Sequence, residues 1–230
     1  MKLSIHQPQY IPWLSYFLKI AQSDKFILLD TVSFQKNGLQ NRNELKDSNG
    51  RFWLTVPIIH NTGQKIIDVK VNNKVNWRKK HFQSLLHCYK KSTYFNKYIN
   101  EIEEIYLTEW DNLSDFNLAL IYKILKWMEI ETPILLSSRI KTQGSSSDLI
   151  LNLCIENNAS EYISGIGGDN YLNENDFELN KIKINRVKPI FPNEYPQQFK
   201  KTGFINDLSV LDILFNCGND WKKYLPERDL

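Results

Sequence analysis

The run DKFILLD, residues 24–30, constrains the fold more than any other stretch of this chain. It holds four consecutive apolar residues between charged ones, without alternation. A strand that is apolar on both faces is typical of a parallel sheet covered on both sides. The strand-like KLSIH and the helix-like WLSYFLKIAQS precede it, so residues 2–30 predict a right-handed βαβ unit. The predicted fold class is α/β, with a mostly parallel, Rossmann-like sheet.

The rest of the chain continues the alternation, with one interruption. RFWLTVPI and IIDVKVN predict further strands. Apolar residues three and four apart then predict three successive helices, which we interpret as a helical insertion or subdomain at residues 76–128. Strands and helices alternate again from TPILLSSRI to SVLDILFNCG. We therefore expect a single α/β domain over residues 1–230 that contains this insertion.

Charge and hydropathy exclude several classes of protein. The chain carries 29 basic and 26 acidic residues, whereas a nucleic-acid-binding domain usually shows a strong basic stripe. The amino terminus lacks the apolar core of a secretory signal, and no run approaches the ~20 apolar residues of a membrane span. We expect a cytoplasmic protein that binds no nucleic acid and has no membrane span.

The cysteines and histidines are dispersed. Cys88, Cys154 and Cys217 lie in helix-like apolar segments without a Cys-x-x-Cys pair, which predicts reduced, buried thiols. Buried thiols are usually inert, and a nucleophilic Cys154 is the alternative. The histidines, at positions 6, 60, 81 and 87, show no ligand spacing, so no metal site is expected.

The stretch SIHQPQYIPW, residues 4–13, places hydrogen-bonding side chains where the first strand should end. Its two prolines restrict the backbone, and a preorganised polar loop loses less entropy when it holds a ligand. His6 is therefore a candidate catalytic base, and Gln7 and Tyr10 are candidate substrate-binding residues. The alternative is a histidine satisfied by backbone partners at the strand end.

Polar residues also follow the second predicted strand. Asp30 is a candidate catalytic residue that orients His6 or receives a ribose hydroxyl, and the alternative is that it caps a turn. The segment QKNGLQNRNELK, residues 35–46, is interpreted as a loop. An arginine among amides suits a phosphate or carboxylate, although a simple turn at Asn-Gly explains the composition too. The candidate substrate-binding residues in this loop are Lys36, Asn41 and Arg42.

Two further stretches are candidates for substrate binding. WRKKHF opens a helix, and Lys80 and His81 are placed to reach a diphosphate unless the run is only a solvated face. YISGIGGDNYL is a strand that enters a glycine-rich turn, where the backbone can approach an anion closely. Its candidate residues are Ser164, Gly165, Gly168, Asn170 and Tyr171.

Ligands of such sheets bind beyond the carboxyl ends of the strands. The segments HQPQY, DTVSF and SGIGG each follow a predicted strand. We expect the imidazole of His6, the arginine–amide segment around Arg42 and the late glycine turn to face one shared cavity.

These stretches together resemble the WbqC-like protein family. The resemblance rests on IHQPQYIPWLSYFLKIAQSDKFILLD, NRNELK, WLTVPI, WRKKHF, YISGIGGDNYL and LSVLDILFNCG, and it covers nearly the whole chain. It implies a role in bacterial surface-polysaccharide biosynthesis, of O-antigen or lipopolysaccharide, with a nucleotide-linked sugar as the substrate. The resemblance assigns neither a reaction nor a cofactor, so the cofactor is left unknown. The positions that match the family motifs are His6, Gln7, Pro8, Tyr10, Pro12, Asn41, Arg42, Trp77, His81, Ser164, Gly165, Tyr171 and Leu172.

Three functional hypotheses follow. In the first, the protein transfers an acyl or aminoacyl group from a donor to an amino sugar, with His6 as base and Arg42 on the diphosphate. In the second, it is a nucleotidyltransferase or ATP-dependent ligase, because its order of elements is similar to nucleotidylyltransferase-like domains, although their His-x-x-His spacing is missing. In the third, it is a non-catalytic partner in a glycosyltransferase complex.

Overall fold

A computed structural model describes residues 1–227 of the chain, except for the side chain of Asp169. The chain divides into two compact units. The first unit contains Met1–Pro8, Ser15–Val32 and Ile130–Pro189, and the second contains Gln9–Leu14, Ser33–Glu129 and the chain from Ile190 onward. The single-domain assignment over residues 1–230 stays a prediction.

The elements alternate between strands and helices outside a central helical block. The strands are β1 (Lys2–His6), β2 (Lys25–Leu28), β3 (Arg42–Asp47), β4 (Gly50–Thr55), β5 (Ile58–Ile59), β6 (Lys70–Val71), β7 (Ile134–Leu136), β8 (Glu161–Gly165) and β9 (Lys183–Val187). The helices are α1 (Leu14–Ala21), α2 (Trp77–Tyr89), α3 (Phe95–Leu107), α4 (Leu113–Met128), α5 (Ser146–Glu156), α6 (Glu174–Leu179) and α7 (Val210–Cys217).

The first unit is built on a five-stranded sheet in the order β7-β2-β1-β8-β9. All neighbouring strands are parallel, which confirms the α/β class predicted from DKFILLD. The sheet grows from β1 through β2 to β7 on one side, and through β8 to β9 on the other. The direction of winding therefore reverses between β1 and β8, which is the topological switch point where such sheets bind ligands.

Both faces of this sheet are covered, as the apolar runs require. Leu3 and Ile5 of β1 pack with Leu153 of α5 and Phe177 of α6 in one buried cluster. On the opposite face, the ring of Tyr16 in α1 packs edge-to-face on a β2 phenylalanine with centroids 5.7 Å apart. Because alternate residues of a strand point to opposite faces, Ser4 and His6 lie on the α1 side of β1.

The second unit contains the helices predicted between residues 76 and 128, namely α2, α3 and α4, together with α7 and two small antiparallel sheets. Trp77, Tyr106 and Phe116 pack edge-to-face in its core, with ring centroids 5.2 to 6.0 Å apart. The apolar residues three and four positions apart in these helices are therefore the residues that form the buried face of each helix. None of the helices in the described part of the chain is both long and apolar enough to cross a bilayer.

Two expectations about secondary structure are wrong, and one short helix was not predicted. The predicted loop at residues 35–46 contains most of β3, which pairs antiparallel with β4. Arg42 lies opposite Thr55 at one end of this pair, and Asp47 lies opposite Gly50 at the other. The polar sequence of β3 did not indicate a buried strand, because its buried residues Asn43 and Lys46 are hydrogen-bonded polar side chains rather than apolar ones. IIDVKVN is a one-turn helix followed by the two-residue β6, and the short helix α6 was not predicted.

Candidate functional site

The carboxyl ends of β1 and β8 separate at the switch point. Pairing between these strands ends at Ser4 and Ile163. By contrast, β1 stays paired with β2 as far as His6, and β8 stays paired with β9 as far as Gly165. The last two residues of each strand therefore lie unpaired with the other strand on either side of the switch point, where doubly wound sheets form a ligand-binding crevice.

A buried lysine lies at this separation. The carbonyl of His6 accepts a hydrogen bond of 2.8 Å from the β2 side, so the preceding carbonyl, of Ile5, points toward β8. The Nζ of Lys19 donates to that carbonyl oxygen at 2.9 Å. Lys19 is 8% exposed, and burial lowers its pKa to about 8. Sequence analysis missed Lys19, although a single lysine inside an otherwise apolar helix was a usable signal.

His6 is held as a neutral imidazole at the end of β1. Its Nδ1 lies 3.1 Å from the carbonyl oxygen of Gln7, and a carbonyl only accepts, so Nδ1 carries the hydrogen. Tyr16 packs against the ring with centroids 5.1 Å apart and donates to the same carbonyl at 3.2 Å. Burial, and then the charge of Lys19, lower the pKa of His6 to about 4. The Nε2 atom is therefore an unprotonated acceptor near pH 7.

The glycine turn follows β8 on the other side of the crevice, in a one-turn helix at Ile166–Asn170. A Cβ on Gly168 would lie 2.1 Å from the Oγ of Ser164 and 2.9 Å from the Cδ1 of Leu172, so any larger residue would displace these side chains. Ser164 is buried and donates to the carbonyl of Gly165 at 3.0 Å. A Cβ on Gly165 or Gly167 would meet nothing within 4 Å, so the backbone there is open to a ligand.

Asn170 and Tyr171 follow in the same turn and are both exposed. The hydroxyl of Tyr171 is hydrogen-bonded to that of Tyr162, which is buried in β8. The hydrogen bond between these two tyrosine hydroxyls therefore connects the end of the turn to the sheet.

The carboxylate of Asp30 accepts hydrogen bonds from the turn after β7. Its Oδ1 accepts from the hydroxyl of Ser137 at 2.7 Å and the backbone N–H of Ser138 at 2.9 Å. Its Oδ2 accepts from the hydroxyl of Ser138 at 2.7 Å. This geometry favours the turn-capping interpretation of Asp30, since its carboxylate joins the ends of β2 and β7 rather than orienting His6. Its catalytic role stays a prediction.

Tyr10 and His81 belong to the second unit and bind each other. The hydroxyl of Tyr10 donates to the Nδ1 of His81 at 2.8 Å, and His81 donates from Nε2 to the carbonyl of Thr55 at 3.1 Å. Tyr106 completes the chain by a hydrogen bond to Tyr10. All three rings are at least nine-tenths buried, so this is a satisfied internal network with both ring nitrogens of His81 occupied. Sequence analysis assigned both residues to substrate binding, and that assignment stays a prediction.

The remaining candidates also lie in the second unit. Asn41 is buried and donates from its side chain to the carbonyl of Val56 at 2.9 Å. The guanidinium of Arg42 lies 4.2 Å over the ring of Trp53. Lys36 is exposed, and Lys80 lines a cavity of about 580 Å³ with basic neighbours on α2. The expectation that Arg42 shares one cavity with His6 and the glycine turn stays a prediction.

The cysteines are confirmed as buried free thiols in α2, α5 and α7. Burial raises the pKa of Cys88, Cys154 and Cys217 to about 12. A thiol at that pKa is protonated near pH 7 and is a poor nucleophile. Among residues 1–227, no three His, Cys, Asp or Glu side chains are grouped as metal ligands.

Comparison with known proteins relates the chain to one family. A profile described as the WbqC-like protein family matches residues 7–224. The chain is similar to the uncharacterized protein Rv1507c of Mycobacterium tuberculosis, with 32% identity over 230 residues, covering 97% of each chain. No solved structure matches it.

Proposed function

This chain belongs to the WbqC-like protein family, and we propose that it is an enzyme acting on a nucleotide-linked amino sugar. The reaction is acyl or aminoacyl transfer to the sugar amine, which forms an amide. The site is the crevice at the carboxyl ends of β1 and β8 in the first unit. The place of this reaction in surface-polysaccharide biosynthesis, including O-antigen, follows from the resemblance of the sequence motifs to the family.

The observation that carries the proposal is the early end of the β1–β8 pairing at Ser4 and Ile163. Doubly wound sheets bind nucleotides at such a switch point. One wall of the crevice holds the neutral His6 and the ammonium of Lys19, and the other holds the open backbone at Gly165 and Gly167. A cation beside flexible backbone amides suits the phosphates of a nucleotide sugar.

The chemistry needs a proton acceptor more than a strong base. The amine attacks the acyl carbonyl, the N–C bond forms, and the nitrogen becomes acidic in the tetrahedral intermediate. The Nε2 of His6 takes that proton and delivers it to the leaving group of the donor as the intermediate collapses. A pKa of about 4 keeps the imidazole unprotonated at pH 7, so the neutral form of the sugar amine meets a base that is ready to accept its proton. Backbone N–H groups of the glycine turn stabilise the oxyanion.

A second candidate is nucleotidyl transfer or ATP-dependent ligation at the same crevice. It is favoured by one feature, a histidine at the end of β1 opposite a glycine turn after the adjacent β8. In this reaction the ligand is ATP with magnesium, and His6 meets phosphate rather than amine. The two candidates therefore differ in which ligand stabilises the fold.

A thermal-shift screen tests the proposal. The probes are nucleoside-diphosphate sugars with and without a free amino group, acyl carriers, and ATP with magnesium. We expect an amino-sugar nucleotide to raise the melting temperature, and His6→Gln to abolish amide formation while the fold persists. His60→Gln is the matched control, because His60 also has Nδ1 near the carbonyl of the next residue, at 3.3 Å. Stabilisation by ATP alone would select the second candidate, and turnover retained by His6→Gln would contradict the role of His6.

A further inference from the structure

The second unit buries two opposite charges in one hydrogen-bond network. Lys46 of β3 is 1% exposed, and Asp212 of α7 is 0% exposed. The side-chain amide of Gln197 joins them: its Oε1 accepts from the Nζ of Lys46 at 3.0 Å, and its Nε2 donates to Asp212 at 3.0 Å. Burial lowers the pKa of Lys46 and raises that of Asp212, because desolvation disfavours both charged forms.

The two charges are not equally satisfied. The carboxylate of Asp212 also accepts from the hydroxyls of Tyr89 at 2.9 Å and Tyr195 at 2.7 Å, so donors reach both of its oxygens. Within residues 1–227, the ammonium of Lys46 has two acceptors, Gln197 and the carbonyl of Gly203, and both are neutral. An ammonium has three hydrogens, so one remains for a further acceptor.

The loop that carries Gly203 is shaped to reach Lys46. Gly203 has φ 74° and ψ −179°, a conformation that is essentially restricted to glycine. Its requirement is conformational rather than steric, because a Cβ there would meet nothing within 4 Å. The backbone therefore adopts a glycine-only geometry where its carbonyl accepts from the ammonium.

Lys46 is one of the residues that line a cavity of about 410 Å³. Lys200 lines it as well, and Glu194 supplies one carboxylate to the lining, whereas Asp212, whose charge offsets that of Lys46, is not among the lining residues. The rings of Tyr195 and Phe204, packed edge-to-face with centroids 5.1 Å apart, form an apolar wall. A small molecule with an anionic group and an aromatic or apolar body matches these walls.

We propose that this cavity of the second unit binds the carboxylate or phosphate group of a small molecule, which accepts from Lys46 and Lys200 while its apolar body packs on Phe204. The site lies wholly in the second unit and does not depend on the reaction proposed for the first. Its desolvated lysine makes the hydrogen bond to the anion a charge-assisted one, which is stronger than a neutral bond.

Calorimetric titration with benzoate, phenyl phosphate and inorganic phosphate tests this site. We expect the wild-type protein to bind benzoate or phenyl phosphate at millimolar concentration, and the stronger of the two identifies the anion. Lys46→Met should weaken binding about tenfold, the loss expected for one charged hydrogen bond. Since Lys46→Met risks misfolding, Lys200→Met, at an exposed position, should weaken binding several-fold, and Lys91→Met, at an exposed position outside this cavity, should not.

The proposal is overturned if none of the three anions binds the wild-type protein. It is also overturned if Lys200→Met and Lys91→Met bind the tighter anion equally well. Binding of inorganic phosphate as tight as that of phenyl phosphate would remove the role assigned to Phe204.

Discussion

The ammonium of Lys19 donates a hydrogen bond of 2.9 Å to the carbonyl oxygen of Ile5, where β1 parts from β8. A neighbouring strand would normally satisfy that carbonyl. The lysine satisfies it instead, so the strand ends separate without an unpaired buried acceptor. Burial, and second the charge of Lys19, lower the pKa of His6, so the lysine contributes both to the separation of the strand ends and to the neutral state of the histidine.

Replacing Lys19 by methionine should raise the pKa of His6 above about 4, because the cation that disfavours imidazolium is removed. It should also destabilise the fold by about 1–3 kcal/mol, since the carbonyl of Ile5 loses its donor. An NMR titration of the imidazole carbons measures the pKa, and urea unfolding measures the stability. Lys25→Met, at the start of β2, is the control and should leave the His6 titration unchanged. An unaltered His6 curve in Lys19→Met would contradict the assignment.

Gly168→Ala should disturb the turn after β8, whereas Gly167→Ala should not. The new methyl at Gly168 would overlap the hydroxyl of the buried Ser164, while the one at Gly167 would enter open space. Overpacking of this kind costs about 1–3 kcal/mol. Unfolding free energies of the two variants check the difference, and equal stabilities would show that the turn is loosely held.

Acid should destabilise the second unit through His81. Its pKa in the folded chain is about 4, below the ordinary 6.5, because it is buried and neutral. The unfolded chain therefore binds the proton first as the pH falls. The stabilisation is complete above pH 6.5 and is lost toward pH 4, by about 3 kcal/mol in total.

Urea unfolding between pH 7 and pH 4 measures this loss. His81→Gln should reduce the loss of unfolding free energy on acidification relative to the wild-type protein, and the loss that remains belongs to His6, whose pKa is also lowered to about 4. His87→Gln, at an exposed position of the same helix, should preserve the full loss. If His81→Gln and the wild-type protein lose the same stability on acidification, the buried network is not the source.

The three thiols should resist iodoacetamide in the folded protein at pH 8, since burial raises their pKa to about 12. All three should be alkylated after unfolding in guanidinium. Mass spectrometry of the labelled protein counts the modified sites. Cys154→Ala should keep full turnover, and loss of turnover with an intact fold would restore Cys154 as a nucleophile.

The main architecture was predictable because it depends on hydrophobic periodicity. DKFILLD predicts a strand buried on both faces, and β2 is the second strand of the parallel sheet. The spacing of α2, α3 and α4 reflects apolar faces that pack in the second unit. Such patterns are local and therefore visible in one sequence.

Features that depend on partners distant in sequence were not predictable. The buried Asn43 and Lys46 made β3 look like a polar loop, because their hydrogen-bond acceptors come from elsewhere in the chain. Tyr10 was assigned to a ligand from its place in HQPQY, whereas its hydroxyl is bound to His81, 71 positions later. A polar motif alone cannot distinguish a ligand site from a satisfied internal network.

The central claim is that the ends of β1 and β8 form one ligand site around a neutral His6. The most direct test is an NMR titration with the amino-sugar nucleotide that stabilises the protein most. We predict that the His6 imidazole and the backbone amides of Gly165 and Gly167 shift together, with one dissociation constant. Saturable binding that leaves the imidazole and both glycine amides unperturbed would contradict the account.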